Sequence, residues 1–308
     1  MLTISRSLSL GLTFLSLPSL CVAAQANDFG QKARVTQPTQ GEAQSARPYR
    51  TIAYGHAPLQ TLDFWSVAGP KPAPLIILVH GGGFQQGDKT EATGRWKAEH
   101  FPEQGYGFAS INYRLVPAVT VEQAAQDVAD AVKSLIEQAK GLGIDQKRIV
   151  LVGHGVGGNL VSLVGTDSRY LNAAGLSLDD IAGVVVIDCA VLDIPLRMRD
   201  PGPPLMHKMY RDAFGQDPVR QRALSPTLQA AAPNTNNFLL MSNQGTPGER
   251  QAAEFARALS NGGTSVEVKT VPAGEGLLGH DEIIQRLGDP TYAATVIVDD
   301  WLKRVFAK

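Results

Sequence analysis

The stretch Arg148-Ile149-Val150-Leu151-Val152-Gly153-His154-Gly155-Val156-Gly157-Gly158-Asn159-Leu160 constrains the fold of this chain more than any other. Ile149 to Val152 form the kind of apolar run that fills a strand covered on both faces. The run breaks at a glycine-dense corner and resumes as an apolar, helix-compatible segment. A strand that turns this sharply into a helix holds the residue at its tip in a sparsely populated backbone region, at about 1–3 kcal/mol for a residue with a side chain. Glycine enters that region with little steric penalty. Gly155 at the tip therefore favours the corner and leaves it without a functional group.

The segments on either side fit one architecture. Tyr49 to Tyr54 and the alternating Thr61 to Val67 suit an antiparallel opening pair. Pro74 to Val79, Gly107 to Leu115, Ile181 to Ile187, Phe238 to Ser242 and Ser265 to Val271 read as further strands. Val121, Ala124, Ala125, Val128, Val132, Leu135, Ile136 and Ala139 make one helical stripe, stopped by Gly141 and Gly143. Asp200 to Pro204 reads as a proline-rich loop and the stretch from there to about Pro233 as a loosely helical excursion, and further helices are expected from Glu249 to Leu259, from near His280, and from near Tyr292 to Phe306. Strands alternating with helices predict an α/β fold, with a mostly parallel central sheet of about eight strands and helices on both faces. It is expected as a single domain over 49–308.

Charge is nearly balanced, with 28 basic and 29 acidic residues, so nothing calls for nucleic acid or an anionic membrane as a partner. Arg6, the apolar run Leu8 to Leu20 and Ala24-Gln25-Ala26 predict a cleaved secretory signal over 1–26, and hence a periplasmic or secreted protein. The run is short of the roughly 20 apolar residues a membrane span needs, so no integral span is expected after cleavage. Residues 27–48, rich in Gln, Ala, Thr and Pro, predict a disordered lead-in. Cleavage would remove Cys21 and leave Cys189 alone, which excludes an intrachain disulfide.

Two glycine corners carry the chemistry. His80-Gly81-Gly82-Gly83-Phe84 follows a buried strand, and three glycines let the backbone turn N–H groups outward as donors for the oxyanion of a tetrahedral intermediate. The corner at Gly155 has the frame of the G-x-S-x-G nucleophile elbow without its serine. With His80–Phe84, Gly87-Asp88-Lys89, Asn112-Tyr113-Arg114-Leu115-Val116-Pro117 and Gly153-His154-Gly155-Val156-Gly157-Gly158 in this order, the chain resembles α/β-hydrolases of the esterase and lipase type with an HGGG oxyanion loop, close to the BD-FAE-like and hormone-sensitive-lipase-like groups. The likeness covers about 49–306.

That resemblance implies an oxyanion hole from the N–H groups of Gly82, Gly83 and Val156, and a catalytic base, here a relic, at His280. Gly155 stands at the vacant nucleophile position. The acid belongs in the loop after Phe238 to Ser242, where Gly245 takes its place, leaving a second vacant position; Asp193 is the reserve acid, and Glu249 is expected to open a helix. His154 is expected to point away from the tip. His80, His154 and His280 lack the spacing of a metal site; neither metal nor cofactor is called for, and Cys189 reads as a small core residue.

The expectation is an esterase relative with weak or no activity, a pseudoenzyme holding a small ester or carboxylate ligand. An active hydrolase with a non-standard arrangement around His280 is the alternative, and a module binding a protein partner is the third.

Overall fold

In the computed structural model, the described residues are 47–307 except 68, 71, 201 and 232. The expected signal over 1–26 and nearly all of the lead-in lie outside them. Eight strands form one sheet: β1 (Arg50–Ala53), β2 (Thr61–Trp65), β3 (Ala73–Val79), β4 (Gly107–Ile111), β5 (Ile144–His154), β6 (Gly183–Ile187), β7 (Asn237–Asn243) and β8 (Ser265–Val271). Their order is β1-β2-β4-β3-β5-β6-β7-β8. The pairs β1/β2 and β2/β4 are antiparallel and every other pair is parallel. The predicted α/β class, strand number and opening pair all hold.

Alternation along the central strands supplies two cores. Leu75, Ile77, Val79, Ile149 and Leu151 face one side, with the helices Val121–Glu137 and Val156–Thr166 packed over them. Ile76, Leu78, Val150 and Val152 face the other, against residues of the helices Lys97–Glu103 and Ala293–Phe306. Burial on both faces is what the continuous apolar runs required. The helix Val121–Glu137 begins on a capping box between Thr120 and Gln123. A short helical piece, Ala139–Leu142, follows it and ends on Gly143 at φ 71°.

Parallel register brings the chemistry to one edge. Val79 pairs with Gly153, His154 with Ile187, and Ile187 with Met241. The residues that follow β3, β5, β6 and β7 therefore emerge side by side at the carboxyl ends of the strands, where open α/β sheets hold their ligands.

Candidate active site

The elbow is built from glycines that have no alternative. A Cβ at Gly153 would collide with the Gly157 carbonyl, and one at Gly157 with the carbonyls of Val79 and His80. A Cβ at Gly158 would come within 2.9 Å of Cys189 Cβ and Val186 Cγ1. Gly155 differs from these. It lies at φ 54°, ψ −121°, and donates its N–H to Ile187 O at 2.9 Å, extending the ladder by one residue. A Cβ there would meet His280 Nε2 at 3.3 Å, His280 Cε1 at 3.4 Å and Gly81 Cα at 3.9 Å. A side chain at this tip is obstructed mainly by its backbone angles, the His280 ring having to give by only a few tenths of an ångström, and it would be aimed at the imidazole.

His280 lies inside the helix Gly276–Arg286, not at its start as the sequence suggested. Gly279, just before it, lets this helix close on the loops beneath: a Cβ there would overlap Gly274 O and Asn243 Nδ2. Nδ1 of His280 is 2.8 Å from Asp188 Oδ2. Among the described residues Nε2 has no hydrogen-bond partner, and no hydroxyl or thiol stands in for the elbow serine. Facing a carboxylate, Nδ1 carries the proton and Nε2 presents its lone pair.

Asp188 directly follows β6 and is buried. Its backbone has φ 43°, one of two positive values for non-glycine residues among the described residues, the other being Phe84 of the HGGG loop. Such strain persists where the surroundings over-determine the conformation, and here they do. The Asp188 N–H donates to Met241 O at 2.7 Å, while Oδ1 accepts from Thr246 Oγ1 at 2.9 Å and Asn243 N at 3.3 Å. Gly248 leaves room for this carboxylate, since a Cβ there would lie 2.5 Å from Oδ1. Burial pushes the Asp188 carboxyl up, but the hydrogen bond and charge of His280, with Thr246 and Asn243, outweigh it and hold the carboxyl below the usual range.

The acid therefore departs from both sequence expectations. Gly245 sits at φ 72° in the turn after β7, its N–H donates to Glu249 Oε2 at 2.8 Å, and a Cβ there would meet no heavy atom within 4 Å. Asp193 caps the helix Ile194–Arg199, accepting from Leu196 N at 2.8 Å. The loop after β7 contributes to the site by holding Asp188 with Thr246 and Asn243, not by supplying a carboxylate. The signal for Asp188 was present in the sequence: it is the first residue beyond the apolar run that ends at Ile187. Glu249 does lie in the first turn of a helix, Pro247–Asn261.

His154 is engaged elsewhere than at the tip: its ring packs on His280 with centroids 4.3 Å apart. Its Nε2 is 3.0 Å from His280 O. Burial, and then the neighbouring His280, lower its pKa to about 3, so the ring is a neutral donor to that carbonyl. His80 is turned away, stacked on Tyr113 at 4.3 Å with Nδ1 2.7 Å from Gly81 O, and burial lowers its pKa. Among the described residues no three His, Cys, Asp or Glu side chains are grouped so as to hold a metal ion. Burial pushes the Cys189 thiol up to about 12, an inert core group.

The HGGG loop is held from below. Asp88 Oδ2 accepts from Asn112 Nδ2 at 2.8 Å, Asn112 Oδ1 accepts from Lys89 N at 2.6 Å, and Lys89 Nζ pairs with Asp63 at 2.8 Å. Gly82 and Gly83 have φ 101° and 64°. A Cβ on Gly83 would fall on the sulfur of Met209, a residue of the helix Pro204–Phe214. Among the described residues the N–H groups of Gly82, Gly83 and Val156 have no protein acceptor.

Part of the sequence and the overall fold match known proteins. The BD-FAE family model matches residues 62–181. Esterase B from Lactobacillus rhamnosis superposes with a TM-score of 0.70 at 21% identity, covering 85% of this chain and 88% of that one. The chain has the α/β-hydrolase fold. Among characterised relatives, this α/β-hydrolase is 27% identical over 207 residues to an ethyl acetate hydrolase of Pseudomonas putida, covering 64% of the chain and 63% of that protein. It is 29% identical over 144 residues to esterase LipC of Mycobacterium tuberculosis, covering 44% of the chain and 36% of that protein. The matches thus span less than two thirds of these two relatives. The α/β-hydrolase is related to carboxylesterases by these matches.

Proposed function

We propose that this protein binds a small ester or carboxylate at the glycine cradle and has weak or no esterase activity, because it forms no acyl-enzyme at the elbow. One observation carries the reading: the position 3.3 Å from His280 Nε2, where an elbow side chain would begin, belongs to Gly155. The donors that would receive a carbonyl or carboxylate oxygen are the N–H groups of Gly82, Gly83 and Val156, and fixed donors of this kind hold negative oxygen well in a site shielded from water. Serine hydrolases stripped of triad members retain about 10³–10⁴-fold acceleration over water from binding and the oxyanion hole. That is far below an ordinary esterase.

The test pairs labelling with binding. Wild-type protein incubated with a fluorophosphonate probe should remain unlabelled, and titration with acetate and butyrate should give saturable binding by calorimetry. A stoichiometric fluorophosphonate adduct on the wild-type chain would overturn the reading.

A further inference from the structure

We propose that a solvent water held between His280 Nε2 and the elbow attacks bound esters directly, making this chain a slow hydrolase that works without a covalent intermediate. The inference rests on the binding mode proposed above. The place of the missing Cβ is 3.3 Å from Nε2 and 3.9 Å from Gly81 Cα, and no atom outside the elbow and the His280 ring is nearer. A water hydrogen-bonded to Nε2 stands outside that place, at van der Waals distance from Gly155 Cα, on the side where the His280 ring is partly exposed to solvent. Asp188 fixes the proton on Nδ1, His154 holds the His280 carbonyl, and Nε2 has no other partner among the described residues. The base is thus oriented from two sides, while the nucleophile it would ordinarily serve is absent.

The step balances with water as the only co-reactant. His280 Nε2 takes one water proton as the water oxygen bonds to the ester carbon, and the carbonyl π pair moves onto the oxygen facing the Gly82, Gly83 and Val156 donors. Collapse re-forms the C=O bond and breaks the bond to the leaving oxygen, which takes the proton back from Nε2. The products are one carboxylic acid and one alcohol. Because the attacking water is a weak nucleophile and His280 is the sole acid, the substrates are esters whose leaving oxygen is phenol- or enol-like.

The experiment follows p-nitrophenyl acetate with the full chain and the variants His280→Ala, His280→Gln and Gly155→Ala. Wild type should turn over above buffer, linearly from the first turnover, with no acetyl adduct by intact mass. Both His280 variants should lower the rate about 10²–10⁴-fold, the usual contribution of a positioned general base. Gly155→Ala, whose methyl would stand 3.3 Å from Nε2 and crowd the water between the elbow and the ring, should reduce turnover comparably while still binding acetate. If its positive φ prevents folding, His280→Gln carries the test. A burst with an acetyl group on His280 would overturn the water route in favour of a nucleophilic imidazole. No turnover above buffer, with acetate still bound, would overturn it and leave the binding role standing. A fluorophosphonate adduct on wild type would overturn the binding role itself.

Discussion

Asp188 Oδ2 and His280 Nδ1 lie 2.8 Å apart, joining the end of β6 to the helix Gly276–Arg286 across 92 residues of sequence. The pairing assigns the acid to the strand beside the elbow strand, and it can be tested once a nucleophile is restored. In a Gly155→Ser background, Asp188→Asn should lower the rate of acylation by about 10⁴-fold, the effect of leaving a triad histidine in the wrong tautomer. Gly245→Asp in the same background should change it little, because a side chain at 245 starts in open space. Stopped-flow labelling with a fluorophosphonate measures both.

Gly155→Ser alone should convert an unlabelled protein into a labelled one. The Ser Cβ would stand 3.3 Å from Nε2, leaving the hydroxyl within the ring's reach. Placing a side chain at φ 54° should also destabilise the fold by about 1–3 kcal/mol. Urea titration of wild type and variant gives the second quantity, and unchanged stability would remove the strain argument.

Gly157→Ala probes the frame apart from its tip. Its Cβ would press on the backbone carbonyls of Val79 and His80, which cannot rotate away as a flexible side chain would. A loss of about 3 kcal/mol or more, at the upper end of overpacking effects, is expected. Soluble protein with a midpoint near wild type would show that β3 and the elbow are not packed this closely.

Lys97 makes stability depend on alkaline pH. It is fully buried, donates to Thr93 O at 3.4 Å and to Ile284 O, and burial lowers its pKa from 10.5 to about 7. Between those values the unfolded chain binds a proton that the folded chain does not, so stability should rise with pH across the window. Below about pH 7 both states are protonated and the burial penalty is present in full. Lys97→Met should flatten the rise, while losing about 1–3 kcal/mol at high pH from the carbonyls left without a donor. Urea midpoints at several pH values from neutral to alkaline measure it; parallel curves would mean that Lys97 does not titrate in this range.

Sequence alone reached the sheet because β3, β5 and β6 are apolar runs with few other places to go. It also reached the elbow, since the dense run of glycines at 153, 155, 157 and 158 marks a sharp corner in the sequence itself, although the atoms that Gly157 and Gly158 make room for belong to the ends of β3 and β6 and to Cys189. The acid was harder. Gly245 was a choice of loop, whereas the contact is settled by register: Ile187 pairs with both His154 and Met241, which carries the next residue, Asp188, toward the imidazole. The contact of His154 with His280 was illegible for a related reason, because the helix bearing His280 folds back over the elbow through a tertiary approach at Gly279 that no local pattern announces.

The ceiling over Gly83 is a thioether, the Met209 side chain resting where that glycine has no Cβ. Methionine is unbranched, with three rotatable bonds and a soft sulfur, so the roof yields to whatever presses against it. If the glycine cradle holds an ester or carboxylate as proposed, the wall it meets at Met209 gives way by turning one residue, and binding should discriminate poorly among chain lengths.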